Sequence, residues 1–292
     1  MMMSFSIAIA SGKGGTGKTT VAVSLFNILS RTLNVKVQLI DCDVEEPNDT
    51  LFFPDKQIIG TKAVCKLIPV INKVECSWCR RCSEYCEFNA IVILPMAEYA
   101  EINPGLCHSC GACLVACEDD AISEISKPIG EINTFALSDG SVIKEGILKI
   151  GSAMQTMLIR ELKKNTNETA DITIYDAPPG TSCPAVEAVA DADYVVLVAE
   201  PTPFGLHDLK LMTRIITGAG IPFGVVVNKA GQGDDTLYRF LEEQQIEIIG
   251  KIPFSRDFAA AYAKGEIHLN LPSAISVPLD QIALQLTKKI VS

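Results

Sequence analysis

Eight of the eleven cysteines fall into two runs with one spacing. C-x2-C-x2-C-x3-C is written as Cys76, Cys79, Cys82 and Cys86, then again as Cys107, Cys110, Cys113 and Cys117, each position shifted by 31 residues. Ala90-Ile91 recurs with the same shift as Ala121-Ile122, which marks a duplicated unit. Thiolates are soft ligands for iron and zinc, and four so closely spaced suit a polynuclear iron–sulfur centre, whereas zinc ribbons use two well-separated pairs. A different chemistry is written near the start. Gly12-x4-Gly17-Lys18-Thr19 lies between an apolar run and a helical pattern. In that context glycines let backbone N–H groups close on phosphates, the lysine reaches the β- and γ-phosphates and the hydroxyl binds Mg²⁺. Gly12, Lys13, Gly14, Gly15, Thr16, Gly17, Lys18, Thr19 and Thr20 are therefore candidate nucleotide-binding residues.

The elements that must position these groups follow a simple rhythm. FSIAIA (5–10), VKVQLI (35–40), ITIYD (172–176), YVVLVAE (194–200), FGVVVN (223–228) and IEIIGKI (246–252) read as short buried strands. Helical patterns at 18–30, 206–217 and 234–244 alternate with them. This predicts an α/β, doubly wound, mostly parallel sheet whose functional loops lie at the carboxyl ends of the strands. Residues 70–125 break the rhythm and hold both cysteine runs, with nine acidic side chains against three basic ones. They read as a small inserted domain (70–125) within a discontinuous domain of residues 1–69 and 126–292. The flanks, 56–70 and 126–150, read as hairpin or edge strands, with a turn at Ser138-Asp139-Gly140.

The bulk numbers exclude some classes. A net charge of −10 argues against general nucleic-acid binding, which needs Lys and Arg to neutralise phosphates. No run approaches the roughly 20 apolar residues of a membrane span. The apolar stretch 5–10 is too short for a signal peptide, so a cytoplasmic protein without stable membrane insertion is expected. In a reducing compartment eleven cysteines are better metal ligands than disulfides.

The cysteine runs match those of two-cluster bacterial ferredoxins, in which the fourth cysteine ligates the other cluster. On that pattern Cys76, Cys79, Cys82 and Cys117 hold one 4Fe-4S cluster, and Cys107, Cys110, Cys113 and Cys86 the other. The proline usual after the fourth cysteine is replaced by Glu87 and Glu118. The loop K-G-G-x-G-K-T-T, with its extra Lys13, resembles the deviant Walker A of the ParA/MinD/nitrogenase iron-protein class of ATPases. That resemblance implies an ATP-sandwiched homodimer in which Lys13 crosses to the partner's nucleotide. It also implies that Asp43 positions the attacking water, that Asp41 and Asp176 with Thr19 hold hydrated Mg²⁺, that the Gly180 N–H senses the γ-phosphate, and that Asn228 contacts adenine. Asp41 and Asp43, two apart, would share a strand face. Asn228-Lys229 lacks the aspartate of a guanine-specific N-K-x-D, having Gly231 there, which favours ATP. The whole combination resembles MinD-superfamily ATPases with an inserted ferredoxin domain.

Buried packing is the expectation for Cys42, Cys65 and Cys183. Cys183 also stands seven residues after Asp176, the offset of a cluster ligand in nitrogenase iron protein, but no second such cysteine accompanies it. Trp78 is expected to pack on a cluster, His108 to tune its hydrogen bonding, and His207 and His268 to lie at the surface or in the core. An amphipathic helix at 279–291 should pack on the sheet. Three functions fit this inventory: an ATPase coupled to electron transfer toward a redox protein partner, a nucleotide-switched positioning or scaffold protein of the ParA/MinD kind, and an iron–sulfur cluster carrier of the Mrp kind.

Overall fold

The computed structural model describes residues 4–32, 35–164, 166, 170–267 and 271–291. In chain order the elements are β1 (Phe5–Ala10), α1 (Lys18–Thr32), β2 (Val37–Asp41), a 3-10 turn (Asp49–Phe52), β3 (Gln57–Ile71), α2 (Arg81–Glu84), β4 (Ile91–Leu94), a second 3-10 turn (Pro95–Ala97), β5 (Tyr99–Ile102), α3 (Ala112–Ala116), β6 (Ile122–Ala136), β7 (Val142–Leu148), α4 (Gln155–Lys164), β8 (Ile172–Asp176), α5 (Cys183–Val189), β9 (Tyr194–Ala199), α6 (Pro203–Gly218), β10 (Phe223–Ala230), α7 (Thr236–Glu243), β11 (Ile248–Pro253), α8 (Arg256–Ala263) and α9 (Ser273–Val291). Contacts divide the chain into two compact units. One comprises Met1–Thr61, Ile132–Ile147 and Thr156–Ser292, and the other Lys62–Glu131 with Leu148–Gln155, so the division falls within β3 and β6.

The first unit is built on a sheet of order β11-β10-β9-β1-β8-β2-β7-β6-β3. The strands from β11 to β7 pair in parallel. Helices cover strands buried on both faces, which is why β2, β8 and β9 are uninterrupted buried runs. From β1 the chain leaves to one side for β2, whereas β8 leads across to β9 on the other side of β1. The order therefore reverses at β1, and the loop after β1 occupies the switch point where ligands bind in such sheets. Along α9, Ile275, Leu279, Ile282 and Leu286 recur at helical spacing and are fully buried, so this helix seals the core instead of presenting an apolar face. Of the flanks expected as edge strands, β3 lies at the edge, but β7 does not: it pairs with β2 in parallel and joins β6 through the turn at 138–140. Its polar residues are accommodated inside, Glu145 accepting the Thr50 hydroxyl at 2.9 Å.

The second unit has very short helices, α2 and α3, and an antiparallel pair, β4–β5, in the register Ile91↔Ile102 to Leu94↔Tyr99. Its backbone repeats as its sequence does. Trp78, Arg80 and Asn89 have positive φ, and so have Ser109, Gly111 and Asp120, each 31 residues on. The Asn72 N–H donates to the Ala121 carbonyl at 2.7 Å, and the Asn103 N–H to the Ala90 carbonyl at 2.8 Å. Each copy thus completes its ladder on the other. The apolar cores are small: Cys82, Ile91, Ile93 and Cys113 form one group, against which Trp78 packs, and Ile68, Ala90 and Cys107 form another.

Candidate functional site

The loop between β1 and α1 lines a cavity of about 370 Å³, a size suited to a small ligand. Of the nine candidate nucleotide residues, Lys13 to Thr20 line it, along with Asp43, Asn48, Pro179 and Asn228. Gly12 lies behind them, where a Cβ would come within 2.5 Å of Asp208 at the start of α6. Gly17 has φ +90°, and its missing side chain admits the Asn228 amide, whose Nδ2 donates to the Thr16 carbonyl at 2.7 Å. Asn228 thus reaches the cavity by bracing the loop. Phe254, Phe258 and Tyr262 give the cavity an aromatic wall that the motifs did not announce.

Buried charge collects at the loop's end. Lys18 Nζ lies 3.1 Å from Asp176 Oδ1, and the Thr19 hydroxyl donates to Asp176 Oδ2 at 2.7 Å. Burial works against the Lys18 ammonium, but Asp176, with Asp49 and Asp41 behind it, raises its pKa overall. Asp41 is fully buried and does not line the cavity. It accepts the backbone N–H groups of Asp43, Asn48 and Asp49 at 3.0, 2.7 and 3.0 Å. Because β2 ends at Asp41, the expected shared face with Asp43 does not form: Asp43 stands beyond the strand, in the cavity wall. Burial, and then Asp176, push the Asp41 carboxyl up to about 7 against those three amides. Burial also raises Asp43, with Lys18 opposing.

Asp49 was not legible in the sequence as a site residue. It is fully buried, and burial, then Asp41 and Asp176, push its carboxyl well above the carboxylate range. As a carboxylate it has no donor for either oxygen among the described residues; with a proton it can donate to Asp176. Three acids therefore surround one ammonium, and a divalent cation would relieve the imbalance. The Thr16 hydroxyl and the Asn48 side-chain Oδ1 are buried atoms of cavity-lining residues without partners among the described residues, which fits a polar ligand.

Two expected contacts are already occupied. The Gly180 N–H donates to the Ser11 carbonyl at 3.1 Å. Lys13 Nζ lies 3.4 Å from Glu200 Oε2, and Lys229 pairs with the same carboxylate. Both must be released before Gly180 could meet a phosphate or Lys13 a partner chain.

The eight motif cysteines lie in the second unit, around two small cavities. One is lined by Cys76, Cys79, Cys82 and Cys117, the other by Cys86, Cys107, Cys110 and Cys113. Backbone N–H groups aim at three sulfurs: Trp78 N to Cys76 Sγ at 3.4 Å, Ala90 N to Cys86 Sγ at 3.3 Å and Ser109 N to Cys107 Sγ at 3.4 Å. Among the described residues no group of three or more His, Cys, Asp or Glu could hold a single metal ion. Glu118, in place of the usual proline, pairs with Arg81. His108 is exposed and stacks on the Phe88 ring at 3.9 Å.

Of the other cysteines, Cys42 is buried as expected, but Cys65 and Cys183 are exposed. Cys65 falls on the outward alternation of β3, between buried Val64 and Lys66. Cys183 opens α5, whose inward face is Ala185, Ala188 and Val189. His207 is exposed on α6, and His268 lies outside the described residues. Among the described residues no helix is long and apolar enough to cross a membrane.

Comparison with known proteins agrees with this geometry. An uncharacterised protein of Methanocaldococcus jannaschii is 31% identical over 265 residues, covering 90% of this chain and 91% of that one. The iron-sulfur cluster carrier protein of Aquifex aeolicus is 24% identical over 295 residues, covering 95% of this chain and 64% of that one. The septum site-determining protein MinD of Pyrococcus horikoshii, solved with Mg-ADP, superposes with a TM-score of 0.61 at 17% identity, over 98% of this chain and 97% of that one. Residues 7–269 match the CobQ/CobB/MinD/ParA nucleotide binding domain, and the chain belongs to that family of P-loop ATPases.

Proposed function

We propose that this protein is an ATP-hydrolysing iron–sulfur protein that couples nucleotide-dependent dimerisation to electron transfer through two 4Fe-4S clusters. The observation that carries the proposal is the division of eight cysteines between two cavities, with the fourth cysteine of each run in the other run's cavity. A single ion draws its donors to one centre, but a cubane takes each thiolate at a different corner. Ligands spread around a cavity wall therefore suit a cluster even where they do not converge on a point. The remaining linings, which include Phe88, Ala90 and Ile91 in one and Ile71, Ile93 and Ala121 in the other, are mainly apolar. Such linings would keep water from a sulfur-rich core, while the N–H···S contacts would stabilise its charge. When bound, the two clusters would supply one-electron transfer, and Cys76, Cys79, Cys82 and Cys117, with Cys86, Cys107, Cys110 and Cys113, would hold them.

At the loop, Lys18 exchanges Asp176 for the β- and γ-phosphates, and Thr19 and Asp176 become available to Mg²⁺. Asp43, in the cavity wall, orients the attacking water. Lys13 leaves Glu200 for the nucleotide of a second copy, so that charge developing on the phosphates meets two lysines. The expected partners are a second copy and a redox protein.

The test is the midpoint potential of both clusters in anaerobically prepared protein, with MgADP and with a non-hydrolysable MgATP analogue. A nucleotide-dependent shift of about 59 mV, tenfold for one electron, supports the coupling. Protein that binds fewer than two clusters, or whose reduction is indifferent to nucleotide while dimerisation is not, counts against it. The likeness to an iron-sulfur cluster carrier favours one second reading, in which the protein donates its cluster. Transfer of iron and sulfide to an apo-acceptor, with loss of the donor's own absorbance, would establish that reading instead.

A further inference from the structure

A third cavity in the second unit has a different chemistry from the two ringed by cysteines. Its volume is about 220 Å³, and Lys66, Pro104, Gly105, Lys127, Pro128, Ile129 and residues 149–153 line it. Three of these are lysines, and no acidic side chain is among them. This is against the local composition, because the segments 62–131 and 148–155 carry ten acidic and seven basic side chains.

The three lysines are held differently. Lys66 is buried, and its Nζ donates to the carbonyls of Pro104 at 2.7 Å and Cys107 at 2.9 Å. Lys127 and Lys149 are exposed, and among the described residues neither ammonium has a carboxylate within salt-bridge distance. The Lys149 backbone is fixed, its N–H donating to the Ile129 carbonyl at 2.8 Å. A turn follows, closed by the Ser152 N–H on the Lys149 carbonyl at 2.9 Å, with Gly151 at φ +81°. The Ser152 hydroxyl accepts the Met154 N–H at 3.3 Å, which leaves its own proton to donate into the cavity.

Like charges gathered around one cavity repel unless an anion lies between them, and none of the ion pairs among the described residues includes Lys127 or Lys149. A cavity of this volume exceeds the roughly 30 Å³ share of one water several-fold, so it admits a polyatomic anion. We propose that this cavity is a binding site for a small multiply charged anion, a phosphate- or carboxylate-bearing molecule, held by Lys127, Lys149 and the Ser152 hydroxyl above Lys66. Lys66 ties the wall of this cavity to the loop that carries Cys107. The site is separate from the phosphate loop and does not depend on nucleotide hydrolysis.

The test is isothermal titration of the full chain with inorganic pyrophosphate and with citrate, in saturating MgADP so that the phosphate loop is filled. One equivalent of at least one probe should bind. Affinity should fall at least about tenfold in the Lys127→Ala/Lys149→Ala variant, the scale of losing two charge-assisted hydrogen bonds. ADP affinity should not change, and a Lys73→Ala/Lys288→Ala variant, which removes equal charge elsewhere, should bind the probe as the parent does. If neither probe binds, or if both double variants weaken binding equally, the site is refuted. Preference for pyrophosphate over citrate, or the reverse, assigns phosphate or carboxylate as the group recognised.

Discussion

Lys18 and Asp176 are each other's main buried partner, at 3.1 Å with almost no exposure of either side chain. Removing one member of such a pair leaves the other charge buried and uncompensated. Lys18→Ala should therefore do two things: weaken ATP binding by about 10- to 100-fold and cost about 3 kcal/mol of stability. Adding Asp176→Asn should restore much of the stability, read by urea denaturation, and none of the affinity, read by nucleotide titration. Recovery of both would mean that Lys18 acts only by holding the fold. The neighbouring acid makes the site sensitive to pH. Asp41 stands near 7 in the fold, above the 3.8 of an unperturbed aspartate. Between these values the folded protein holds a proton that the unfolded chain has released, so its contribution is fully present below about pH 4 and is lost as pH rises toward 7. The nucleotide-free protein should lose up to about 1.4 kcal/mol per pH unit there from this residue. Asp41→Asn should flatten the dependence, as measured by denaturation at pH 5 and pH 7; an unchanged slope would assign it to other groups.

At the scale of elements, the phosphate loop is set by what surrounds its glycines. A Cβ on Gly12 would meet Asp208 backbone and side chain at about 2.5 Å, whereas one on Gly14 would find only Pro179 at 4.0 Å. Gly12→Ala should push α6 away and cost about 1–3 kcal/mol. Gly14→Ala should cost little, and the two melting temperatures compare them directly. Much of this architecture was legible. The apolar runs that became β2, β8 and β9 are buried on both faces, and most of β1 and the middle of β10 with them, so their composition announces them. β7 was harder, because buried Lys144 and Glu145 interrupt its apolar pattern and their satisfaction depends on distant partners such as Thr50. Asp49 could not be recognised for a related reason: its importance comes from Asp176, 127 residues away, and no local spacing records that. The cysteine runs lay at the other extreme, since their spacing alone groups them as the two cavities do.

For the molecule as a whole, the contact between Lys13 and Glu200 sets a condition on assembly. A lysine engaged within its own chain is withheld from a second copy, and Glu200 engages Lys229 as well. Glu200→Gln should therefore favour the proposed MgATP-dependent dimer and Lys13→Ala should remove it, while MgADP leaves both variants monomeric. Analytical ultracentrifugation of both variants in MgADP and in MgATP decides this. A dimer of Lys13→Ala that persists in MgATP would place the interface elsewhere.

The exchange of hydrogen bonds between Asn72 and Ala121, and between Asn103 and Ala90, has a consequence for ancestry. A chain with one copy of the 31-residue unit would hold three of its cysteines around a cavity and its fourth facing outward. Its unpaired amide and carbonyl would match those of an identical neighbour across a two-fold axis, the self-complementary arrangement of the simplest homodimers. Duplication in tandem turns that encounter between molecules into one within a chain, and removes its dependence on concentration. The present fold is what such a pair becomes once its two halves can no longer separate.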